Sequence, residues 1–430
     1  MIFQKVTKEG SIYILENPKT FFWGVATSAF QLEGSPYADW HLFDSFFEEK
    51  PESVNHYSMY EQDLYLIKKL GVNAYRFSIE WSRVQPSQDI FNEASIAHYQ
   101  KIIDELLSND IEPFVTIHHF THPVWFIKNY PWHNDNSADK FCFYVEKLVK
   151  TIKNVKYWIT FNEPYILLLG GYLDGCMPPN IKNKQLAQKA LKNILLSHAK
   201  VYDIIHSYIN KPYVGIAHNM AVFKPYRKNR FDMLLTKIAK HFYNFSIINA
   251  FLSGHLSINL PFSKSFEIDL PIKDKLDFFG INYYTRIFLK FNPFNFKNKF
   301  VDIIYQNKEG IGITDMGWEI YPKGILKVLK YASKLKVPLI ITENGIATNN
   351  DFQKIQFIRA HLEKIKEAIA DGINIKGYFY WSLIDNYEWF VGLNAKFGLF
   401  RVDEKTLERK PTLSASFYAY IVKNWRIFDG

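Results

Sequence analysis

The 430-residue sequence contains only two cysteines, Cys142 and Cys176, and they do not form a CxxC pair. Two isolated cysteines are too few for a disulfide framework, so a reducing compartment is the simpler interpretation. The first ten residues mix lysine and glutamate with polar side chains and lack the apolar core of a signal peptide. The apolar stretches are shorter than the roughly 18 residues that a membrane-spanning helix needs. We therefore expect a soluble, cytoplasmic protein without a membrane partner.

Motifs that bind nucleotides or dinucleotide cofactors are also missing. Neither GxGxxG nor GxxxxGK[ST] occurs, although an open doubly wound sheet, the competing α/β architecture, normally carries a glycine-rich loop after its first strand. The chain has no linker rich in proline, glycine or serine, no low-complexity tract and no short repeat. We expect one domain over residues 1–430 and no cofactor.

Eight short runs rich in β-branched and aromatic residues are present, and helical segments separate most of them. The runs are residues 21–27, 74–79, 113–118, 157–161, 213–217, 277–281, 338–342 and 376–381. Between them, segments such as 141–152 and 355–369 place apolar residues at the i, i+3, i+4 spacing of an amphipathic helix. Apolar strands that alternate with helices form a parallel sheet covered by helices, and eight repeats close a barrel. The predicted fold is α/β, a single (β/α)8 TIM barrel.

Polar and aromatic residues gather where the predicted strands end. In such a barrel the carboxyl ends of all strands lie on one rim, and the catalytic residues are found at that rim. Glu163 follows the fourth strand and Glu343 the seventh, so the two can face each other across one pocket. Paired carboxylates that flank a bond are what glycoside hydrolysis requires. The nearby amide, imidazole and aromatic side chains suit sugar hydroxyls and the apolar faces of sugar rings.

Six segments in order along the chain carry a family resemblance. They are GVATSAFQLEG at 24–34, NAYRFSIEW at 73–81, TFNEP at 160–164, GINYY at 280–284, ITENG at 341–345 and YWSLIDNYEW at 380–389. Together they resemble glycoside hydrolase family 1, the retaining β-glucosidase and β-galactosidase family. The resemblance implies a single (β/α)8 barrel, which agrees with the strand count. It also implies a small-molecule β-glycoside or oligosaccharide as substrate.

The resemblance also implies a role for each motif residue. Glu343 would be the nucleophile and Glu163 the acid/base, with Arg76, Tyr284 and Asn282 supporting them. Arg76 and Tyr284 would keep Glu343 ionised, while Glu163 would stay protonated. Residues implied to bind the substrate are Gln31, His119, Asn162, Trp318, Trp381, Glu388 and Trp389. Family members carry a cis peptide after the tryptophan that matches Trp381, and Pro164 favours an extended backbone at Glu163.

Three histidines near the end of the third strand resemble a metal-ligand cluster. Side chains alternate along a strand, so His118 and His119 point to opposite faces and are poorly placed to share one ion with His122. We expect no metal. The family pattern selects His119, which precedes an aromatic residue, for sugar binding, and His118 is expected to pack against a helix. Phe120 stands where many relatives have tryptophan, which weakens the expected recognition of the sugar 3-hydroxyl.

The net charge of +9 raises nucleic acid as a partner, and the run FLKFNPFNFKNKF at 288–300 interleaves aromatic residues with lysines. Because the basic residues are spread along the chain, we interpret the charge as a solvated surface and expect no nucleic-acid partner. The run is expected to form a loop that packs its rings near the barrel mouth.

Three alternatives keep the barrel but change the function. A 6-phospho-β-glycosidase usually replaces the glutamate that matches Glu388, and a carboxylate there would repel a phosphate. A transglycosylase would use the same residues with an alcohol in place of water. A catalytically silent sugar-binding barrel would lack one of the two glutamates, and both Glu163 and Glu343 are present.

Overall fold

The computed structural model describes residues 21–46, 53–258, 265–295 and 300–424. Eight parallel strands, here β1–β8, form a closed barrel in which β1 pairs with both β2 and β8. They are Phe22–Ala26, Ala74–Ser78, Glu112–His118, Tyr157–Asn162, Tyr213–Asn219, Phe278–Asn282, Leu339–Asn344 and Ile375–Trp381. Every boundary lies within two residues of its prediction from the sequence. The (β/α)8 barrel is confirmed.

Helices surround the barrel and connect its strands. The α-helices are Ala29–Glu33, His56–Leu70, Trp81–Val84, Glu93–Ser108, Val124–Asn129, Ser137–Thr151, Pro164–Leu168, Lys184–Tyr208, Arg230–Lys240, Ser246–Ser253, Pro322–Ala332, Asp351–Ala370 and Leu413–Asn424. Short 3-10 helices span Asp39–Phe46 and Ser333–Leu335, and π-helical turns span Leu169–Leu173 and His241–Phe245. Among the described helices, none combines the length and apolarity needed to cross a membrane.

The helix Asp351–Ala370 shows why these segments are helical. The Asn350 side chain accepts hydrogen bonds from the backbone N–H groups of Phe352 and Gln353, which caps the helix start. Its predicted apolar stripe is buried at Ile358, Leu362 and Ile365 and half-buried at its two ends. The helix therefore packs against the barrel on the face that the sequence period indicates.

Large rings fill the barrel below the strand ends. Phe22, Phe114 and Tyr157 contact one another, with Phe114 stacked on Tyr157 at a centroid distance of 4.2 Å. Phe379 lies 4.8 Å from the Phe114 ring. Gly24 faces this ring cluster, and a Cβ there would lie 2.4 Å from the Phe379 ring. The packed interior closes the lower end of the barrel and leaves the opposite rim for a site.

Strand register shifts close to that rim. In the β4–β5 pairing the shift falls between Ile159 and Asn162, and in the β7–β6 pairing it falls between Ile341 and Glu343. Ile159 packs in the barrel interior, but Phe161, two residues later, packs outside against other rings. Such irregularities re-aim side chains next to functional sites. Here the shift leaves Asn162 facing into the barrel.

Short strands outside the barrel form three further sheets among the described residues. The strand Arg286–Phe291 pairs with Val222–Pro225 and with Val301–Ile304. Two hairpins join His255–Ile258 to Phe266–Asp269 and Phe400–Val402 to Arg409–Pro411. The expectation of a loop over 288–300 was therefore wrong for its first part, because Phe288 and Leu289 bury their side chains in a strand. Residues 296–299 of that run lie outside the described residues.

Candidate active site

Glu343, the last residue but one of β7, lies between a guanidinium and a phenol. Arg76 Nη1, from β2, donates to Glu343 Oε1 at 2.6 Å, and the Tyr284 hydroxyl donates to Oε2 at 2.7 Å. Arg76 is fully buried, and further hydrogen bonds to the Thr116 hydroxyl and the Thr342 carbonyl fix its orientation. Both Glu343 oxygens are thus engaged by donors that stabilise a carboxylate.

Glu163 follows β4 and is held by amides. Asn282 Nδ2 donates to Glu163 Oε1 at 2.6 Å, and Asn219 Nδ2 donates to the same oxygen at 3.0 Å. The Tyr243 hydroxyl donates to Asn219 Oδ1 at 2.7 Å, which fixes the orientation of that amide. The Glu163 backbone is left-handed, with φ 47° and ψ 61°, so the expected extended backbone was wrong. Its carbonyl accepts the first hydrogen bonds of the helix that begins at Pro164.

Asn162 links the two carboxylates. Its Oδ1 accepts from Arg76 Nη2 at 2.7 Å and from Asn282 Nδ2 at 3.0 Å. The Thr342 hydroxyl donates to Asn282 Oδ1 at 2.6 Å, so the Asn282 amide is oriented as well. Because both donors occupy the Asn162 oxygen, its NH₂ group is left as the donor, and Nδ2 lies 3.1 Å from His119 Nε2.

The surroundings of the two carboxyl groups separate their proton affinities. Burial, together with the nearby negative charge of Glu343, raises the pKa of Glu163 to about 8. Burial also raises the pKa of Glu343, but the Arg76 guanidinium and the Tyr284 hydroxyl oppose that rise. The arrangement favours a charged Glu343 and a protonated Glu163, as expected for two carboxylates with different tasks.

Gln31 and Glu388 lie on one side of the pocket. Gln31 Nε2 donates to Glu388 Oε2 at 3.1 Å, to Asn386 Oδ1 at 3.0 Å and to the Tyr387 carbonyl at 3.0 Å, and the Ser28 hydroxyl donates to its Oε1 at 2.6 Å. Burial and the charge of the nearby nucleophile candidate raise the pKa of Glu388 to about 8. The pair offers donors and acceptors suited to neighbouring hydroxyls of one sugar.

His119 and two tryptophans form an aromatic wall. The His119 ring is nearly parallel to Trp381, at 5.9 Å, and to Trp389, at 6.3 Å. Trp40 supports Trp389 from behind at 4.5 Å, and its indole N–H donates to the Phe120 carbonyl at 3.2 Å. The peptide after Trp381 is cis, as predicted.

Trp318 lies beside the phenol that contacts Glu343, whereas His118 lies outside the barrel. Trp318 is half-buried and contacts the Tyr284 ring edge-on at 5.7 Å. His118 points away from His119 into rings outside the barrel, including Trp132 and Phe161. Among the described residues, no group of three or more His, Cys, Asp or Glu side chains is arranged to hold a metal ion.

The sequence reasoning missed Asn219 and Tyr243. Strand five was predicted to end at residue 217, yet β5 continues to Asn219, whose side chain alternates into the barrel after Ala217. A rim residue two positions later was the available signal. Tyr243 lies in a π-helical turn and contacts the site only through Asn219, so no local pattern marks it.

Comparison with known proteins identifies relatives across nearly the whole chain. The family model for glycosyl hydrolase family 1 matches residues 15–426. A 1,4-beta-D-glucan glucohydrolase of Thermotoga neapolitana is 34% identical and covers 96% of this chain and 99% of its own. A 6-phospho-beta-galactosidase of Clostridium acetobutylicum is 31% identical, covering 95% and 97%.

A solved structure shows the same architecture. The beta-glycosidase from Pyrococcus horikoshii superposes with a TM-score of 0.87 at 38% identity, covering 94% of each chain. The fold, the family match and these relatives agree, and the chain therefore belongs to glycosyl hydrolase family 1 and is a glycoside hydrolase.

Proposed function

We propose that this glycoside hydrolase is a retaining exo-β-glycosidase that removes terminal nonreducing β-D-glucosyl residues, with β-galactosides and β-fucosides as further substrates. One observation carries the proposal. Two buried glutamates at the rim ends of β4 and β7 have opposite surroundings, Glu343 beside a cation and a phenol and Glu163 beside two amides. This is the division between nucleophile and acid/base that retaining hydrolysis needs.

In the first step the Glu343 carboxylate attacks the anomeric carbon while Glu163 gives its proton to the glycosidic oxygen. The bond from carbon to that oxygen breaks, an ester to Glu343 forms, and the aglycone leaves as an alcohol. For this geometry the two carboxyl groups should be about 5 to 5.5 Å apart. Ester formation removes the Glu343 charge, which is one of the causes that raise the pKa of Glu163. The pKa of Glu163 then falls, so Glu163 stays ionised after it has given up its proton and is available as a general base.

In the second step Glu163 takes a proton from water, and the water oxygen attacks the anomeric carbon. The ester breaks and the Glu343 carboxylate is restored, so two inversions give net retention. An alcohol in the place of water would give transfer of the sugar. The proposal therefore covers transglycosylation as a second outcome of the same intermediate.

We propose sugar contacts for the residues that line the pocket. The donor face of Asn162 would bind the 2-hydroxyl, a contact that strengthens in the transition state. His119, Gln31 and Glu388 would bind the remaining hydroxyls together with the Trp389 indole. Trp381 would lie under the sugar ring, and Trp318 would contact the aglycone. The curated relative named as a glucan glucohydrolase supports a glucoside as the first substrate to test.

The test compares Glu343→Ala and Glu163→Ala on two β-glucosides. A dinitrophenyl leaving group needs no proton, whereas an alkyl leaving group does. We expect Glu343→Ala to lose both activities and Glu163→Ala to lose cleavage of the alkyl glucoside but retain formation of the glycosyl-enzyme from the activated one. Glu363→Ala, on an exposed helix face, is the control and should behave as wild type.

The stereochemistry of the product decides the mechanism independently. Proton NMR of the first-formed sugar should show the β-anomer. An α-anomer first would refute retention, and full activity of the Glu343→Ala variant would refute the assignment of the nucleophile.

A 6-phospho-β-glycosidase is the second candidate, because a relative at 31% identity is named a 6-phospho-beta-galactosidase. The Glu388 carboxyl that accepts from Gln31 argues against it, since its charged form would repel a phosphate. A substrate panel that includes a β-6-phosphoglucoside separates the two candidates. Turnover of the phosphosugar alone would refute the main proposal.

The proposal extends to the whole chain and its location. We propose that residues 1–430 act as one catalytic domain in the cytoplasm. Support comes from the two cysteines, which are both unpaired, with Cys142 partly buried. Burial raises the pKa of the Cys142 thiol to about 12, so it stays a thiol at neutral pH.

A further inference from the structure

Lys354 is a buried lysine in the first turn of the helix Asp351–Ala370, a place that disfavours a positive charge. Burial lowers the pKa of Lys354 to about 7, and a cation at a helix N-terminus opposes the helix dipole. Its ammonium group donates to three backbone carbonyl oxygens, those of Lys396 at 3.2 Å, Phe397 at 3.3 Å and Gly398 at 2.6 Å. Every N–H of the ammonium has a partner, and each partner is a carbonyl rather than a carboxylate.

These three carbonyls end the segment that follows β8. We call residues 382–398 the sugar-binding loop, because it carries Glu388 and Trp389. The Gly398 N–H donates to Asp385 Oδ1 at 2.9 Å, which closes the loop on itself. Lys354 therefore joins the end of this loop to the helix that follows β7, the strand that carries the proposed nucleophile.

A second contact runs from the same place to the proposed nucleophile. The Phe397 ring lies 6.2 Å from the Tyr284 ring, and the Tyr284 hydroxyl donates to Glu343. Phe397 also belongs to the apolar cluster that contains Trp381. A shift of residues 396–398 would thus reach both the sugar-binding loop and the ring beside Glu343.

We propose that Lys354 is a positioning residue for sugar binding. Its ammonium holds residues 396–398, the end of the sugar-binding loop, in the position that lets Glu388 and Trp389 contact the sugar. The inference rests on the proposed function. A buried charge is costly unless its hydrogen bonds are used, and here all three fix one loop. A misplacement of about 1 Å is enough to weaken a site built from several converging groups.

The test uses Lys354→Met, which keeps most of the side-chain length but removes all donors, and Lys354→Arg, which keeps charge and donors. Lys366→Met, exposed on the same helix, is the matched control. The readouts are KM and kcat for p-nitrophenyl β-D-glucoside and the Kd of glucono-1,5-lactone, a neutral ligand that lacks an aglycone. In Lys354→Met we expect KM and Kd to rise about tenfold while kcat changes less than about threefold. Lys354→Arg should restore most of the affinity.

A purely structural role would give a different pattern. It would lower the melting temperature and the folded fraction, and hence the apparent kcat, without changing KM or Kd. That pattern, or wild-type KM and Kd in a folded Lys354→Met protein, would overturn the inference. If Lys354→Met does not fold, Lys354→Gln, which keeps two N–H donors, takes its place. It should raise KM and Kd about threefold, and unchanged values would overturn the inference equally.

The wild type and Lys366→Met separate this inference from the proposed function. If neither hydrolyses the glucoside nor binds the lactone, the proposed function is wrong. If both do and Lys354→Met equals them, the proposed function stands and the role of Lys354 is wrong.

Discussion

Replacing Asn219 with alanine tests how the structure sets the proton affinity of Glu163. Asn219 Nδ2 donates to Glu163 Oε1 at 3.0 Å, and this hydrogen bond lowers the pKa of Glu163 against the effects of burial and of the Glu343 charge. Removing it takes stabilisation from the charged form only. The pKa of Glu163 should therefore rise above its value of about 8 in the wild type.

The size of the rise follows from the strength of the lost contact. A hydrogen bond to a charged group contributes about 1.5 kcal/mol at the lower end of its range. Since one pKa unit corresponds to about 1.4 kcal/mol, the expected shift is about one unit upward. Asn282, the other donor to Glu163, remains in place at 2.6 Å and limits the change.

The assay is the pH dependence of kcat/KM on an unactivated β-glucoside, whose alkaline limb reports the proton on the catalytic acid of the free enzyme. In Asn219→Ala that limb should move to higher pH, so the ratio of activity at pH 9 to that at pH 7 increases. Tyr243→Phe should move it the same way by less, because the Asn219 amide loses only its orientation. Asn249→Ala, on an exposed helix position, is the control. An unchanged or lower alkaline limb in Asn219→Ala would refute the reasoning.

Two further predictions test the proposed nucleophile and the buried ion pair between Arg286 and Glu319. Tyr284→Phe removes the hydroxyl that donates to Glu343 at 2.7 Å, so kcat/KM should fall roughly 10- to 100-fold. A change below about twofold in steady-state kinetics would contradict the role of Tyr284 as a support of the nucleophile. Arg286→Met leaves the fully buried Glu319 carboxylate without its guanidinium partner at 2.6 Å, so the free energy of unfolding should fall by about 3 to 5 kcal/mol in urea titrations. Glu309→Gln removes only an exposed partner of Arg286 and should cost less than about 1 kcal/mol. Equal losses in the two variants would contradict the difference in burial.

The barrel was predictable because its signals are local. Each strand is a short apolar run, and each is followed by helical spacing or by turn-forming residues, so periodicity alone gave eight repeats in the correct places. The polar residues that follow those runs then indicated the rim, because the carboxyl ends of all parallel strands lie on the same side of a barrel. Glu163, Glu343 and the residues around them were found on that basis and on the six motifs.

Local signals failed where the chain departs from regular alternation. Residues 288–300 were predicted to form a loop. Phe288 and Leu289 instead lie in a strand that pairs with a strand more than 60 residues earlier, and their side chains are buried there. No local sequence pattern indicates such a distant pairing. At the end of β4, strict alternation would have turned Phe161 inward. The register shift beside β5 instead leaves Asn162 to meet Arg76.

The sequence by itself determined which residue types the rim contains and how many strands carry them. Only the tertiary structure decided which of them touch, since Arg76 and Glu343 are 267 residues apart yet share a hydrogen bond. It also brought Asn219 into contact with Glu163 and Lys354 into contact with the loop after β8. The physical reason is that proton affinity and loop position depend on distances of a few ångströms between segments, and the closure of the barrel sets those distances.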